Sequence, residues 1–264
     1  MGLISHRVKR SDLKIGDHIY TWRNLFIYTH HGFFLSFFIL LSLFSISFFI
    51  LHCISGIYVG DNKVVHFTLD QGSSFSSSSV STVPIACLNF PDSCCSTSGV
   101  IISCLNCFLQ NGSLHRFEYG VSFLAYSAKI RGGCTAAKSD SMDVVFYRAM
   151  YLLWNGLFGD YDLFSNNCED FALYCKTGLL VLAGTDSSSG GSSGQVMSAV
   201  AGPTSVILSL PLRIFFSNPI VLTAATTFYL SRYVCDIGVC DDAIKVKVED
   251  LASIRGNQTS ARRL

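Results

Sequence analysis

Nineteen consecutive apolar or serine residues, positions 33–51, directly follow the paired histidines His30 and His31 and the single Gly32. The length of this run and its Phe and Leu content are typical of a helix that spans a membrane. An exposed loop of this composition would be an aggregation hazard. The run therefore has to lie in lipid or against an apolar protein surface, and we expect it to be helical.

The composition points in the same direction. Half of the residues are hydrophobic and 14% are charged, whereas an average soluble domain has about a quarter charged residues. The net charge is +1 and no long basic run occurs, which argues against a nucleic-acid partner. The eleven cysteines are an odd number, and the first twenty residues lack a secretory signal. We expect reduced thiols, the cytoplasmic face of a membrane, and no cofactor.

Outside the apolar run, the pattern is that of a mixed α+β domain. Residues 13–22 predict a turn and a strand, and residues 56–67 predict a hairpin around a Gly-Asp-Asn turn. Residues 141–157 have helical periodicity, and residues 165–178 begin with capping residues and end at glycine. A Ser/Gly linker at 185–195 separates this domain from an apolar, possibly membrane-associated region at 196–234, and residues 241–264 form a polar tail that we expect to be partly frayed.

Cys168 is the first candidate for chemistry. It follows Asn166 and Asn167 at the predicted start of a helix, where free N–H groups and the helix dipole stabilise a thiolate. Such a cysteine is a nucleophile when an imidazole lies beside it. His30 and His66 are the candidate imidazoles, although a single cysteine or histidine is more often a packing residue.

Several separate blocks of the sequence agree in order and identity with one family. They are Gly-Asp-His-Ile at 16–19, Thr-His-His-Gly at 29–32, Ile-Tyr-Val-Gly-Asp at 57–61, Val-Val-His at 64–66 and Asn-Cys-Glu at 167–169. In these blocks the chain resembles the lecithin:retinol acyltransferase-like family of papain-like thiol enzymes, most closely the plant branch. The resemblance covers residues 12–180, which we take as the catalytic domain. It implies an antiparallel sheet packed on helices, one of which carries the nucleophile.

The resemblance also implies a role for each matching residue. Cys168 matches the nucleophile, His30 the histidine that takes its proton, and His66 the residue that orients that imidazole. Tyr28 matches a tyrosine associated with oxyanion binding. The implied reaction is acyl transfer or hydrolysis on an acyl lipid or phospholipid through an acyl-Cys168 intermediate. His31 is expected to point to the opposite face of its strand and to serve packing.

The chain departs from the family in one large feature. Residues 33–56, 24 in number, separate the His-His-Gly block from the Ile-Tyr-Val-Gly block, which are continuous in the family. The insert is interpreted as a transmembrane helix or as a translated, retained intron, since U-rich codons encode Phe, Leu, Ser and Ile. It breaks the strand that should place His30 near His66. His52 would lie on the same face of the strand but about 7 Å away along it, which is too far for it to replace His30.

Two further features keep alternatives open. Cys94, Cys95, Cys104 and Cys107 have spacings compatible with a zinc site, but they are equally the small buried thiols of an intracellular core. Residues 157–164 are aromatic and would either line an acyl pocket or belong to the core. The alternative to an enzyme is a non-catalytic, membrane-associated adaptor on the same fold.

Overall fold

A computed structural model of the chain describes residues 6–24, 51–69, 99–128, 133–162, 166–181, 223, 227 and 230–254. Seven strands and four α-helices have defined bounds within these ranges. In chain order they are β1 His18–Asn24, β2 Leu51–Gly60, β3 Lys63–Thr68, β4 Gly99–Cys104, α1 Leu105–Leu109, β5 His115–Arg116, α2 Phe123–Ala128, α3 Met142–Asn155, α4 Cys168–Thr177, β6 Leu179–Val181 and β7 Ala243–Lys245.

Five strands form one sheet in the order β4-β3-β2-β1-β5, and its neighbouring strands are antiparallel. Strands β6 and β7 form a separate antiparallel pair. The α+β class with an antiparallel sheet packed on helices is therefore confirmed, and it is consistent with the fold that the resemblance implied.

The predicted hairpin is present as β2 and β3. Asp61 and Asn62 form its two-residue turn, both with positive φ, at 48° and 55°. This is the conformation of a type I′ turn, whose twist matches the twist of the flanking strands. Asp and Asn tolerate the left-handed region better than most residues, so this short sequence specifies the turn locally.

Helices α3 and α4 pack on one face of the sheet. Ile57, Val65 and Phe67 alternate toward this face, where they contact Val145 and Phe171 in one buried cluster. The opposite face packs on α1 through a smaller cluster that includes Ile19, Val64 and Phe108. Strand alternation thus gives the central strands two buried faces, as their apolar runs require.

The chain beyond residue 240 departs from the frayed tail that we expected. Strand β7 pairs with β6, and the buried side chains of Val248 and Leu251 belong to the cluster that holds α3 and α4. The Tyr174 hydroxyl donates to the Val246 carbonyl oxygen over 3.2 Å. Up to residue 254, the predicted polar tail therefore contributes part of the core.

Both predicted membrane segments lie largely outside the described residues. Of the helix expected in the insert at 33–56, with its apolar span at 33–51, residues 33–50 are not described, and residues 51–56 belong to strand β2, which corrects the expectation there. Of the region 196–234 only a few positions, including the helical residues 230–234, are described. Among the helices of the described ranges, none combines the length and apolar character that crossing a bilayer requires.

Candidate active site

Cys168 is the first residue of α4, as the capping pattern predicted. Asn167 is the N-cap, and its side-chain oxygen accepts from the N–H groups of Glu169 and Asp170 over 2.8 and 3.2 Å. The Asp170 carboxylate accepts in turn from the Asn167 N–H over 3.0 Å. These reciprocal bonds form a capping box, which fixes the start of the helix and therefore the position of the thiol.

Hydrogen bonds also fix Asn166, the residue before the N-cap. The Asn166 side-chain amide donates to the carbonyl oxygens of Phe158 and Asp160 over 2.9 and 2.7 Å. The predicted C-terminal end is confirmed by Gly178, which has φ of 69° and donates its N–H to the Tyr174 carbonyl oxygen. The whole of α4 is thus specified locally, from the asparagine pair to the terminal glycine.

The Cys168 thiol is buried, with 1% of the residue exposed. Burial raises the pKa of this thiol to about 12, and the Glu169 and Asp170 carboxylates act in the same direction. The Ser55 N–H and the Tyr161 hydroxyl both hydrogen-bond to the sulfur and lower the pKa in part. The position at a helix start led us to expect a stabilised thiolate, whereas burial favours the neutral thiol. At neutral pH the sulfur holds its proton.

The Ser55 contact shows where the thiol lies relative to the sheet. The N–H and C=O of Tyr58 bond toward β1, to Asp17 and Gly16, so by alternation the backbone groups of Ser55 face β3. The pairing of β2 with β3 begins at the next residue, Gly56, which lies opposite His66. The thiol therefore accepts a strand N–H at the point where the two strands cease to pair.

Gly56 is required at this point. A Cβ atom built on it would lie 2.7 Å from Val64 Cγ1 and 3.0 Å from His66 Cβ. Such distances are too short for any side chain, so the close approach of β2 and β3 beside the thiol depends on glycine.

His66 lies on β3 with 8% of the residue exposed. Its Nε2 lies 2.6 Å from the Ser103 hydroxyl, and its ring packs edge-on against Phe108 with centroids 5.4 Å apart. Ser103 and Phe108 did not stand out in the sequence. The only available signal was the regular alternation of β4, which places Ser103 on the same face as His66.

The other two predicted residues of the site, His30 and Tyr28, lie outside the described residues. The family places its proton-accepting histidine three residues before Ile57. In this chain the strand continues backward through the end of the insert, so that position is taken by Ile54, which is partly buried and packs on the cluster under α1. His52 also lies on β2, opposite Arg23.

Residues 157–162, the described part of the aromatic segment predicted at 157–164, contribute both to the core and to the site. Phe158 is buried against Phe171, and the Tyr161 ring packs 5.1 Å from Phe67, which supports the core interpretation. The Tyr161 hydroxyl nevertheless reaches Cys168. Burial raises the pKa of this phenol, so it stays protonated and can donate a hydrogen bond.

The Gly-Asp-His-Ile block serves packing. His18 is buried, its ring stacks on Phe117 at 4.4 Å, and its Nδ1 lies 2.7 Å from the Tyr119 hydroxyl. Burial lowers the pKa of His18 well below its usual value, so the ring is neutral. The Lys176 ammonium donates to the Gly16 carbonyl oxygen over 3.0 Å, which ties the block to the nucleophile helix.

Two of the four candidate zinc ligands are described. Cys104 is the N-cap of α1 and Cys107 lies in its first turn, whereas Cys94 and Cys95 lie outside the described residues. In the described part of the chain, no group of three or more His, Cys, Asp or Glu side chains is arranged to hold a metal ion. The four-cysteine zinc site remains an untested prediction.

Comparison with known proteins identifies the family to which the chain belongs. The profile of the family described as lecithin retinol acyltransferase matches residues 51–181. The chain is also 43% identical over 262 residues to Protein LEAD-SENSITIVE 1 of Arabidopsis thaliana, an alignment that covers 95% of this chain and 90% of the relative. The chain belongs to the lecithin retinol acyltransferase family.

The family profile begins and ends at the boundaries of strands. The match begins at Leu51, the first residue of β2, and it includes both His66 and Cys168. Tyr28, His30 and residues 33–50 lie before it. No solved structure matches the chain. The profile match therefore depends on the part of the domain that contains the β2–β3 hairpin and α4, whereas the alignment with the Arabidopsis relative covers 95% of the chain.

Proposed function

We propose that the protein transfers or hydrolyses acyl groups of acyl lipids through a thioester on Cys168. The observation that carries the proposal is the placement of this thiol at a capped helix start, with the Ser55 N–H and the Tyr161 hydroxyl both directed at its sulfur. Membership of the lecithin retinol acyltransferase family supports an acyl lipid as the substrate.

The proposed reaction starts with loss of the thiol proton to an imidazole. The sulfur then attacks the ester carbonyl carbon, and the leaving alcohol takes a proton from the imidazolium. The Tyr161 hydroxyl is a neutral donor beside the sulfur, and it is therefore available to the negative charge that develops on the carbonyl oxygen. Water or a second alcohol then cleaves the thioester, giving hydrolysis or transfer respectively.

The proposed reaction needs an imidazole close to the Cys168 sulfur, and the insert disturbs the strand that should carry it. His66 is held by Ser103 and Phe108 on the face of the sheet that packs on α1, and its orienting role is implied only by the family resemblance. The family position for the proton acceptor carries Ile54, and a thiol with a pKa of about 12 needs a base to react at neutral pH. We therefore propose that the form with the insert is much less active than a form in which His30 directly precedes the hairpin strand.

We also propose that the protein works on the cytoplasmic surface of a membrane. The support is the apolar composition of residues 33–51 and 196–234 together with the lipid character of the proposed substrate. Both stretches lie largely outside the described residues.

Trapping the acyl-enzyme tests the function. Purified chain is incubated with a short-chain phospholipid, and the intact mass is measured before and after treatment with hydroxylamine, which cleaves thioesters. We expect a gain of one acyl group that hydroxylamine removes, and no gain in Cys168→Ala. Cys235→Ala is the matched control, because Cys235 is exposed and lies outside the site.

Absence of the adduct from both the full chain and a chain lacking residues 33–56 would contradict the enzymatic proposal. It would favour the non-catalytic adaptor instead.

A further inference from the structure

Cys104 and Cys107 occupy the first turn of α1, and both are partly exposed thiols. Cys104 is the N-cap with an extended backbone, and its sulfur accepts from the Cys107 N–H over 3.3 Å. Residues three apart in a helical turn lie on the same face, so the two sulfurs point to one side. The Cys104 sulfur thus lies against the backbone of Cys107, and a Cys-x-x-Cys pair at a helix start is a common arrangement of redox-active thiols.

The local chemistry suits thiol–disulfide exchange. The attacking species is a thiolate, and an N–H directed at the Cys104 sulfur stabilises the negative charge during attack. Partial exposure of both cysteines admits a small oxidant. The buried thiols of Cys168 and Cys175, by contrast, are shielded from it.

The pair is directly coupled to His66. Ser103 precedes Cys104 and places its hydroxyl 2.6 Å from His66 Nε2. Phe108 follows Cys107 and packs its ring against the imidazole. The two side chains seen to hold His66 therefore flank the two cysteines in the sequence.

The backbone around the pair is also tied to the hairpin that carries His66. Cys104 pairs with Lys63 at the end of β4, and the Leu105 N–H donates to the Asn62 carbonyl oxygen over 2.7 Å. A change in the first turn of α1 is consequently transmitted to β3 rather than absorbed by a loop.

We propose that Cys104 and Cys107 form a reversible dithiol–disulfide pair that controls the position of His66. Its effect on acyl transfer depends on the function proposed above, whereas the redox reaction itself does not. Closure of the disulfide draws the Cys107 side chain toward Cys104 and rotates the turn that carries Phe108. The reduced pair keeps His66 between Ser103 and Phe108, and the oxidised pair displaces it.

The oxidant is a small disulfide of the glutathione type. The Cys104 thiolate attacks it and releases one thiolate, leaving a mixed disulfide on Cys104. The Cys107 thiolate then attacks the Cys104 sulfur and releases the second thiolate. The two protons of the cysteines end on the two released thiols, so the protein loses two electrons and the small disulfide gains them.

The first experiment measures the pair directly. The full chain is equilibrated in buffers of reduced and oxidised glutathione with a chelator, alkylated, and mapped by mass spectrometry. We expect Cys104 and Cys107 to lose alkylation together, in one peptide lighter by two hydrogens, while Cys235 stays alkylated. Reduction with dithiothreitol should restore both labels.

Variants that lack one of the two cysteines test whether each is the other's disulfide partner. In Cys104→Ser and Cys107→Ser we expect the remaining cysteine to form a mixed disulfide with glutathione. Serine is a favoured N-cap, so Cys104→Ser should keep the helix start intact. Pairing of either cysteine with a different cysteine would overturn the proposal. So would protection of both thiols until the chelator is added, the outcome expected of a zinc site.

The second experiment measures His66 without an activity assay. Histidine-labelled protein is followed by NMR in the reduced and oxidised states, and His66→Gln identifies the signal. We expect the His66 signal to shift on oxidation in the wild type and to stay in place in the Cys104→Ser, Cys107→Ser double variant. A disulfide that leaves this signal unchanged would overturn the control of His66. Failure of the acyl-trapping test alone would overturn only the proposed function.

Discussion

Helix α4 and strand β2 meet at the Cys168 thiol, and they differ in how well each matches the family. The helix has an asparagine cap, a capping box and a terminal glycine, and its sequence block is complete. The strand is composite: Ile57–Gly60 carries the family block, whereas residues 51–56 come from the end of the insert. The strand still pairs with β1 along this stretch, with Ile54 opposite Thr21.

The comparison shows that strand pairing depends on backbone groups, whereas the proposed proton transfer depends on one particular side chain. Any residue able to extend can continue a strand, because the ladder uses only N–H and C=O groups. The Ser55 N–H can therefore reach the thiol although Ser55 belongs to the insert. The proposed proton acceptor, in contrast, depends on its side chain, and Ile54 has no titratable group to supply.

The largest expected effect comes from removing the insert, which restores the family sequence of strand β2. Deletion of residues 33–56 joins Gly32 to Ile57, and His30 then occupies the position of Ile54. A correctly placed base contributes about 10²–10⁴-fold, so acylation of Cys168 should rise by that factor. The rate is measured by the acyl-trapping assay. The control is the same deletion with His30→Ala, and equal rates with and without His30 would contradict the prediction.

The next prediction compares how much a side chain of α4 and a side chain of β2 contribute to the free energy of unfolding. Phe171 on α4 is fully buried against Phe67 and Phe158, so Phe171→Ala should cost about 3–5 kcal/mol in the free energy of unfolding. Ile54 on β2 is partly exposed, and Ile54→Ala should cost about 1–2 kcal/mol. Both values come from denaturant titration. A loss at Ile54 as large as at Phe171 would mean that the end of the insert is an equal part of the core.

A smaller effect concerns the helix start. Asn167→Ala removes the acceptor for two backbone N–H groups, and it should cost about 1–2 kcal/mol in the free energy of unfolding. Ser141→Ala is the matched control, because Ser141 is the N-cap of α3 but makes no side-chain capping bond. Its expected cost is below about 0.5 kcal/mol. Equal losses in the two variants would exclude a special role of the Asn167 cap.

The last effect is a dependence of the free energy of unfolding on alkaline pH, spread over several pH units. The folded pKa of Cys168 is about 12, above the ordinary thiol value of 9.0. The unfolded chain therefore loses this proton first, and the stability it provides is complete below pH 9 and is lost as pH rises toward 12. The slope is at most about 1.4 kcal/mol per pH unit. Cys168→Ser should show a shallower slope in denaturant titrations above pH 9, and an unchanged slope would contradict the raised pKa.

Much of the fold could be predicted from local patterns. The Asp61–Asn62 turn, the asparagine cap at Cys168 and the glycine after Thr177 each specify one chain reversal or helix end within a few residues. The nucleophile helix and the hairpin were predicted for this reason. The core position of Val248 and Leu251 was not, because it depends on contacts with α3 and α4 that are far away in the sequence.

The sequence by itself determined the family, the place of Cys168 at a capped helix start and the hairpin, since each depends on adjacent residues whose backbone preferences agree. Only the tertiary structure decided the state of the site. It showed that Cys168 is buried, which raises the pKa of its thiol, and that the Ser55 N–H and the Tyr161 hydroxyl both bond to the sulfur. It also showed that residues 51–56, from the end of the insert, extend β2, with Ile54 opposite Thr21. Solvation and strand register are properties of the assembled domain, and no local pattern encodes them.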